Sequence, residues 1–472
     1  MRTFTVISAL ALGACTFNWS GGDGGLPLVG SEPPLSSFTR LNAVTSGRAS
    51  LLTGPDGASW AALCEFWTMG SGNNGRGCQR MHLVRLGAPD EAPREETIDA
   101  DSFALHGAEL YEIRDDAAGL VRTVTMHRPG DAAVDDVAFS LPAGRAAFFA
   151  NDAGASDVFL YWLRAAETIE WVVCRRDRRY QRRVPLPPGS DPTGDDDART
   201  PKIVLTADGG TIVVRGPDGV MVADSTLDEG TVALGPRPAD FFIDEPRAAA
   251  VAFGEGGATS VALDGSGDRL LTADPITRVS VAIDDEVFYY ATPAGLSSVP
   301  LDGSRPARLE QPGAARLRAV GRGGELAYGL DPADRYAGGA GDGWIGGWRF
   351  MERGRQLRFS ADGARLHFLE HAATLGTYGD LTTATSPAAP PRTLAINVHR
   401  WDELPDGRLL AIENAVVGGA WNRLVVIDEV AGERRWLVPT ATEFLLVPGS
   451  RDLLVDVVSG ATGYDVLRVP AP

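Results

Sequence analysis

The chain has 472 residues, with 44 Lys+Arg against 62 Asp+Glu and a formal charge of −18. A surface that anionic repels phosphate backbones, which excludes general nucleic-acid binding and suits a solvated body. Gly (56) and Pro (31) are both frequent, but they are spread between short apolar runs, the mark of many turns and not of disorder.

Residues 1–15 (MRTFTVISALALGAC) carry one basic residue, Arg2, then an apolar run over 4–12 that is too short to span a bilayer. Small residues and a cysteine follow. Leu12-Gly13-Ala14-Cys15 resembles the lipobox of bacterial lipoproteins. That resemblance implies a signal peptide over 1–15, export, and lipidation of Cys15 as the first mature residue. The alternative is an ordinary signal peptide with an incidental cysteine. Thr16 stands where an Asp would favour inner-membrane retention, so the resemblance points to the outer membrane or periplasm. Residues 16–37 are rich in Gly, Pro and Ser and are expected to be a flexible tether, with the folded body over 38–472.

Export permits disulfides. Cys64 and Cys78 flank a Gly/Asn-rich tip and suit a hairpin cross-linked across its two strands, the alternative being a pairing of one of them with Cys174. Cys174, inside the apolar run WVVC, is then a buried thiol. Arg175, Arg176, Arg178, Arg179, Arg182 and Arg183 follow within nine residues. They are a candidate contact for anionic lipid, lipopolysaccharide or an acidic partner, or else an outer strand guarded by charge against edge pairing. Asp191, Asp195, Asp196 and Asp197 lack the spacing of an EF-hand loop and are expected to lie in a solvated loop.

From here the chain repeats. Ser260-Val261-Ala262-Leu263-Asp264-Gly265-Ser266 matches Ser298-Val299-Pro300-Leu301-Asp302-Gly303-Ser304 at an offset of 38. Asp-Gly supplies the positive φ of a tight two-residue hairpin turn. Asp362-Gly363 and Asp406-Gly407 each precede an apolar strand. Following that strand gives starts at Thr211, Ala249, Val287, Glu325, Arg365, Arg408 and Arg451, in steps of 38, 38, 38, 40, 43 and 43. No stretch shows helical periodicity. A period near ~40 with four short strands per unit is what propeller blades need, because one small sheet cannot cover both its faces without neighbours.

These apolar strands with Asp-Gly turns resemble the TolB-like and WD40-like propeller repeats of bacterial exported proteins, closely over 200–472 and diffusely over 38–199. The expected fold is all-β, a single propeller of seven or eight four-stranded blades, with the irregular early units read as halves of blades. Two smaller propellers joined near 188–200 are the alternative. Residues 38–43 are expected to pair with the last strands, 444–447 and 466–469, and close the ring.

Chemical motifs are sparse. There is no G-x-S-x-G elbow. Two G-x-G-x-x-G matches, at 70–75 and 341–346, read as loop tips. His367 and His371 on one strand face would stand roughly 13 Å apart, too far to share a metal. His82, His106, His127 and His399 are isolated. Trp344 and Trp348, in the Gly-rich insertion 331–348, are either exposed contact aromatics or packed under the loop. No catalytic residue, metal or cofactor is assigned. The expectation is a non-enzymatic binding or scaffold protein at the cell envelope, with an envelope protein or cell-surface component as partner and the N-terminal lipid as its only membrane contact. The alternative is a propeller enzyme, lactonase- or lyase-like, with a site in the central channel.

Overall fold

The computed structural model describes residues 25–470 except 46–48, 55–56, 70–75, 88–94, 107–108, 119–120, 128, 131–136, 143–157, 165–168, 176–179, 186–201, 207–210, 217–218, 225–231, 235–237, 277–280, 285, 322, 331–340, 372–377, 415–421, 451 and 460–462. The chain is all-β, 66% strand and 2% helix. Among the described residues no helix is long and apolar enough to cross a membrane.

The strands pair as successive antiparallel meanders. The first unit contains Ser50–Thr53, Ser59–Met69, Arg76–Arg85 and Glu95–Asp99, and the second runs from Ser102–His106 to Val137–Pro142. A three-stranded third unit follows (Val158–Arg164, Ile169–Arg175, Tyr180–Pro185), then four-stranded units over 202–234, 238–272 and 281–312. From Arg316 to Pro439 ten strands form one continuous sheet, because two long strands each serve two units, and Leu28–Val29 adds an eleventh at its edge. Trp348–Phe359 pairs backward through Gly354 and forward from it, and Arg392–Glu403 does the same through Val398. Divided at those switches, the sheet holds the seventh, eighth and ninth units.

The tenth unit closes on the N-terminus. Thr39–Thr45 is its outer strand, paired with Gly463–Pro470 in the register Thr39↔Arg468 and Arg40↔Leu467. This is the closing pairing expected for 38–43. The expected count of seven or eight blades is not confirmed: the described strands make ten units. The early units are whole sheets rather than halves. Their second strands begin at Ser59, Glu109 and Ile169, too unevenly spaced to show a period.

From the fourth unit on, the second strands begin at Thr211, Ala249, Val287, Leu326, Leu366, Leu409 and Asp452, within one residue of the tracked positions. Apolar clusters fill the seams between units. Phe253, Phe288 and Tyr290 join the fifth and sixth, with Phe253 and Phe288 ring centroids 5.5 Å apart. Phe350 and Phe368 join the seventh and eighth; Leu410, Ile412, Phe444 and Val455 join the ninth and tenth. Leu41, Leu63, Leu454 and Val466 join the tenth to the first, and Leu52, Trp60, Leu83 and Leu110 join the first to the second. Each fully buried large side chain contributes about 1.5–3 kcal/mol, so these seams are the main source of stability.

The Asp-Gly turns are wider than a two-residue hairpin. The loop from Gly257–Ala262 to Asp268–Thr272 closes with the Ala262 N–H donating to the Gly267 carbonyl at 3.0 Å, and Gly265 takes φ 72°. Asp264 accepts from the Ser266 N–H at 2.8 Å, and Asp302 from the Ser304 N–H at 2.9 Å. The side chain therefore stabilises a longer Asx-type turn. Hydrogen bonds from Ser266, Ser304 and Ser360 hold the carboxyls of Asp264, Asp302 and Asp362 below their ordinary range. A carboxylate depressed in the folded state stabilises it above the unfolded value and loses that contribution as pH falls through the folded one. Stability in urea is expected to decline below about pH 4. Replacing the three by Asn flattens that acid-side slope; an unchanged slope refutes the assignment.

Cys64 and Cys78 form a disulfide, Cα atoms 5.8 Å apart, both buried against Trp60 and Met81. A closed loop of this length (sequence separation 14) stabilises by about 3 kcal/mol on the chain-entropy account. The C64S/C78S double variant is expected to lose about 2–3 kcal/mol in urea unfolding and to become insensitive to reductant.

Candidate functional site: a polar seam at the strand switches

Where a long strand passes from outer strand of one unit to inner strand of the next, its backbone must swing. A left-handed residue absorbs the swing each time: Gln356 (φ 54°), Asn397 (φ 55°) and, entering the tenth unit, Thr440 (φ 57°). Non-glycine residues rarely adopt this region, so its recurrence marks a shared constraint. Asn397 suits it, because its N–H donates to Asp380 Oδ1 (3.0 Å) and its Nδ2 to the Asn414 carbonyl (2.9 Å).

The swing gathers polar side chains from three units. His399 lies 5.4 Å from the Tyr378 ring, inclined at 65°, with Nε2 3.4 Å from the Thr442 carbonyl oxygen. The Arg400 guanidinium pairs with Glu443 of the tenth unit and covers Phe444 at 5.0 Å. Arg355 takes the matching place in the eighth unit: it opposes Leu369, as Arg400 opposes Ile412. Among the described residues Arg355 has no ion-pair partner of the kind Arg400 finds in Glu443. Its Nε and Nη2 are shielded from solvent and have no hydrogen-bond partner among the described residues. Burial pushes its affinity for protons down. Chemically the seam offers one guanidinium, Arg400, already paired with Glu443 over Phe444, an imidazole, His399, against Tyr378, and at the equivalent position of the preceding unit the half-buried Arg355.

The residues singled out in the sequence fall elsewhere. Cys15 lies outside the described residues, as do Arg176, Arg178, Arg179, Asp191, Asp195, Asp196 and Asp197. Arg175 ends Ile169–Arg175 and pairs with Tyr180; Arg182 and Arg183 stand in the returning strand opposite Val173 and Val172. Cys174 opposes Phe159 and Gln181.

His367 is fully buried, with Nε2 2.6 Å from Glu429 Oε1 and Trp401 at 5.8 Å. Burial pushes Glu429 up, but the His367 hydrogen bond and charge, with Arg365, outweigh it and hold the carboxyl below its ordinary range. His371 lies past the strand end in a left-handed turn (φ 54°), so the two histidines do not share one strand face. His82 sits 2.6 Å from Glu65, and His127 3.6 Å from Glu96. Trp344 donates its indole N–H to Asp342 Oδ2 at 2.6 Å, and Trp348 packs on Phe350 at 5.6 Å. Both tryptophans are packed and half-buried. Gly341 opens the strand Gly341–Ile345, not a helix. Among the described residues no cluster of three or more His, Cys, Asp or Glu is arranged to hold a metal.

Sequence reasoning missed the seam. Its only linear signal is the 43-residue spacing of Arg400 and Glu443, identical to the blade step.

No family model matches the chain, and no curated protein matches it. Solved structures do resemble it. A crystal structure of a eukaryotic initiation factor matches at 10% identity, covering 78% of this chain and 100% of that one, with a TM-score of 0.42. The Dos1 propeller matches at 8% identity over 58% and 70%, TM-score 0.32. Oligogalacturonate lyase from Vibrio parahaemolyticus matches at 10% identity over 76% and 97%, TM-score 0.30. Likenesses at this level concern the fold alone; the strand pairing by itself shows an all-β chain of successive antiparallel units, all but one of them four-stranded among the described residues.

Proposed function

We propose that the chain is an exported, lipid-anchored propeller that binds a partner at the cell envelope without turnover, using the switch-side seam of the eighth to tenth units. The observation that carries the binding site is Arg355, a half-buried guanidinium whose Nε and Nη2 are shielded and have no hydrogen-bond partner among the described residues. Desolvating a cation is costly unless an anion meets it, so the ligand supplies a carboxylate or similar acidic group. Turnover by general acid and base would need a free titrating pair, whereas Glu443 is tied to Arg400. Apolar seams run from the fourth unit through the tenth and on through the first into the second, which supports one continuous stack over those units rather than a break among them. Export and anchoring rest on residues 1–15.

The test is a photo-crosslinking residue introduced at Tyr378 or at Leu270, the latter 62% exposed on an outer strand. An adduct formed in cells from 378 and not from 270 supports the seam. Equal adducts, or none from 378, overturn it. R355M is expected to weaken that adduct about 10-fold, the share of one hydrogen bond to a charged group. The same change raises stability by about 0.5 kcal/mol, because a half-buried charge is removed. For the anchor, C15S abolishes labelled palmitate incorporation and membrane association; incorporation that persists in C15S refutes it.

A further inference from the structure

We infer that residues 25–29 are a latch that sets which rim of the body faces the bilayer. This rests on the lipid-anchor reading of Cys15. Residues 25–29, from the middle of the expected tether 16–37, are bound to the body. Leu28–Val29 is a fifth, parallel strand on the outer edge of the ninth unit, in the register Leu28↔Arg434 and Val29↔Arg435. Leu26 is buried with Leu394, Val398, Trp401 and Val425, and Leu28 packs on the same cluster. The Leu26 N–H donates to the Leu394 carbonyl (3.0 Å) and the Arg434 N–H to the Pro27 carbonyl (2.8 Å).

Arg434 locks the segment. Its Nε donates to the Leu26 carbonyl at 2.6 Å while Nη1 pairs with Glu413, and both side chains are 1% exposed. Backbone hydrogen bonds and a buried cation spent on one carbonyl are a specific fastening, not incidental contact.

The parallel register fixes direction: the N-terminal end of 25–29 lies at the start of Glu433–Pro439, beside the turn 428–432, where Val430 is 94% exposed. Ten Cα steps separate Cys15 from Gly25, at most about 35 Å. A body of this length is about 55–60 Å across. The lipid therefore holds the Val430 rim at the bilayer and keeps the opposite rim away from it.

The experiment uses the lipidated protein, purified from membranes and placed in phosphatidylcholine/phosphatidylglycerol vesicles carrying headgroup-quencher lipid. A fluorescent residue is introduced at Val430, Leu270 or Leu309. Quenching at 430 is expected to exceed that at 270 and 309 about three-fold. L26D/L28D, which leaves the body's own strands untouched, is expected to remove the difference with the circular dichroism unchanged. Equal quenching at all three sites in the parent protein overturns the latch, as does a difference that survives L26D/L28D. The intact mass of the N-terminal peptide separates the two readings. If Cys15 is unmodified, the anchor reading fails. A maleimide lipid coupled to the Cys15 thiol of a C174S variant then puts the latch to the same comparison.

Discussion

E413A is expected to be among the most destabilising single substitutions in this protein, lowering unfolding free energy by about 3–5 kcal/mol. Glu413 is 1% exposed and accepts from two cations, Arg434 Nη1 and Arg423 Nε at 2.7 Å. The loss falls unequally on them. Arg423 is 18% exposed and rests over Trp436 at 4.9 Å, so it turns to water at small cost. Arg434, at 1%, cannot, and would keep a full charge facing the Leu26 carbonyl alone. A buried cation without its counter-ion accounts for most of the loss. The double variant E413L/R434M removes the charge along with its partner and is expected to recover more than half of it. Urea unfolding of the three proteins decides this: a double variant as unstable as E413A would show that packing, not charge, sets the effect.

L41D is expected to open the molecule at its closing seam. Leu41 lies in Thr39–Thr45, the one strand of the tenth unit that comes from the N-terminal side, and packs with Leu63 of the first unit and Val466 of the tenth. A carboxylate there has no cation within the apolar cluster. Arg40, on the same strand, already serves Asp465 at 2.8 Å, whose side chain is 2% exposed. The expected loss is about 3–5 kcal/mol. Releasing Thr39–Thr45 also bares the edge of Gly463–Pro470, which invites pairing with another chain. L41D is therefore expected to self-associate with rising concentration while L41A, which costs about 2–5 kcal/mol without adding charge, stays monomeric. Light scattering separates them, and a monomeric L41D refutes the edge argument.

The C-terminal two-thirds was legible because its units repeat in sequence. Strand starts tracked from Thr211 to Arg451 agree with the structure to within a residue, since an apolar strand after a turn is a local signal. The N-terminal third was not, because its hairpin Ser59–Met69 to Arg76–Arg85 is long and its neighbouring connections differ in length. Those sheets form through seam contacts such as Trp60 with Leu110, which no local period announces. Gly257 and Gly295 show a subtler miss. They stand 38 apart, each with positive φ (99° and 143°), and a Cβ would come within 2.0 Å of the Thr272 carbonyl oxygen and 2.2 Å of that of Gln311. The repeat thus contained a required glycine that the Asp-Gly pattern overshadowed.

Residue types and spacing alone were enough for the all-β class, the period and the closing role of the chain's two ends, because strands and turns depend on neighbours in sequence. The ten units, the fastening of 25–29 and the seam of Arg355, His399 and Arg400 were decided only in three dimensions. Each depends on which unit stacks beside which, and on charges such as Arg434 and Glu413 that become partners only once water is excluded from between the sheets.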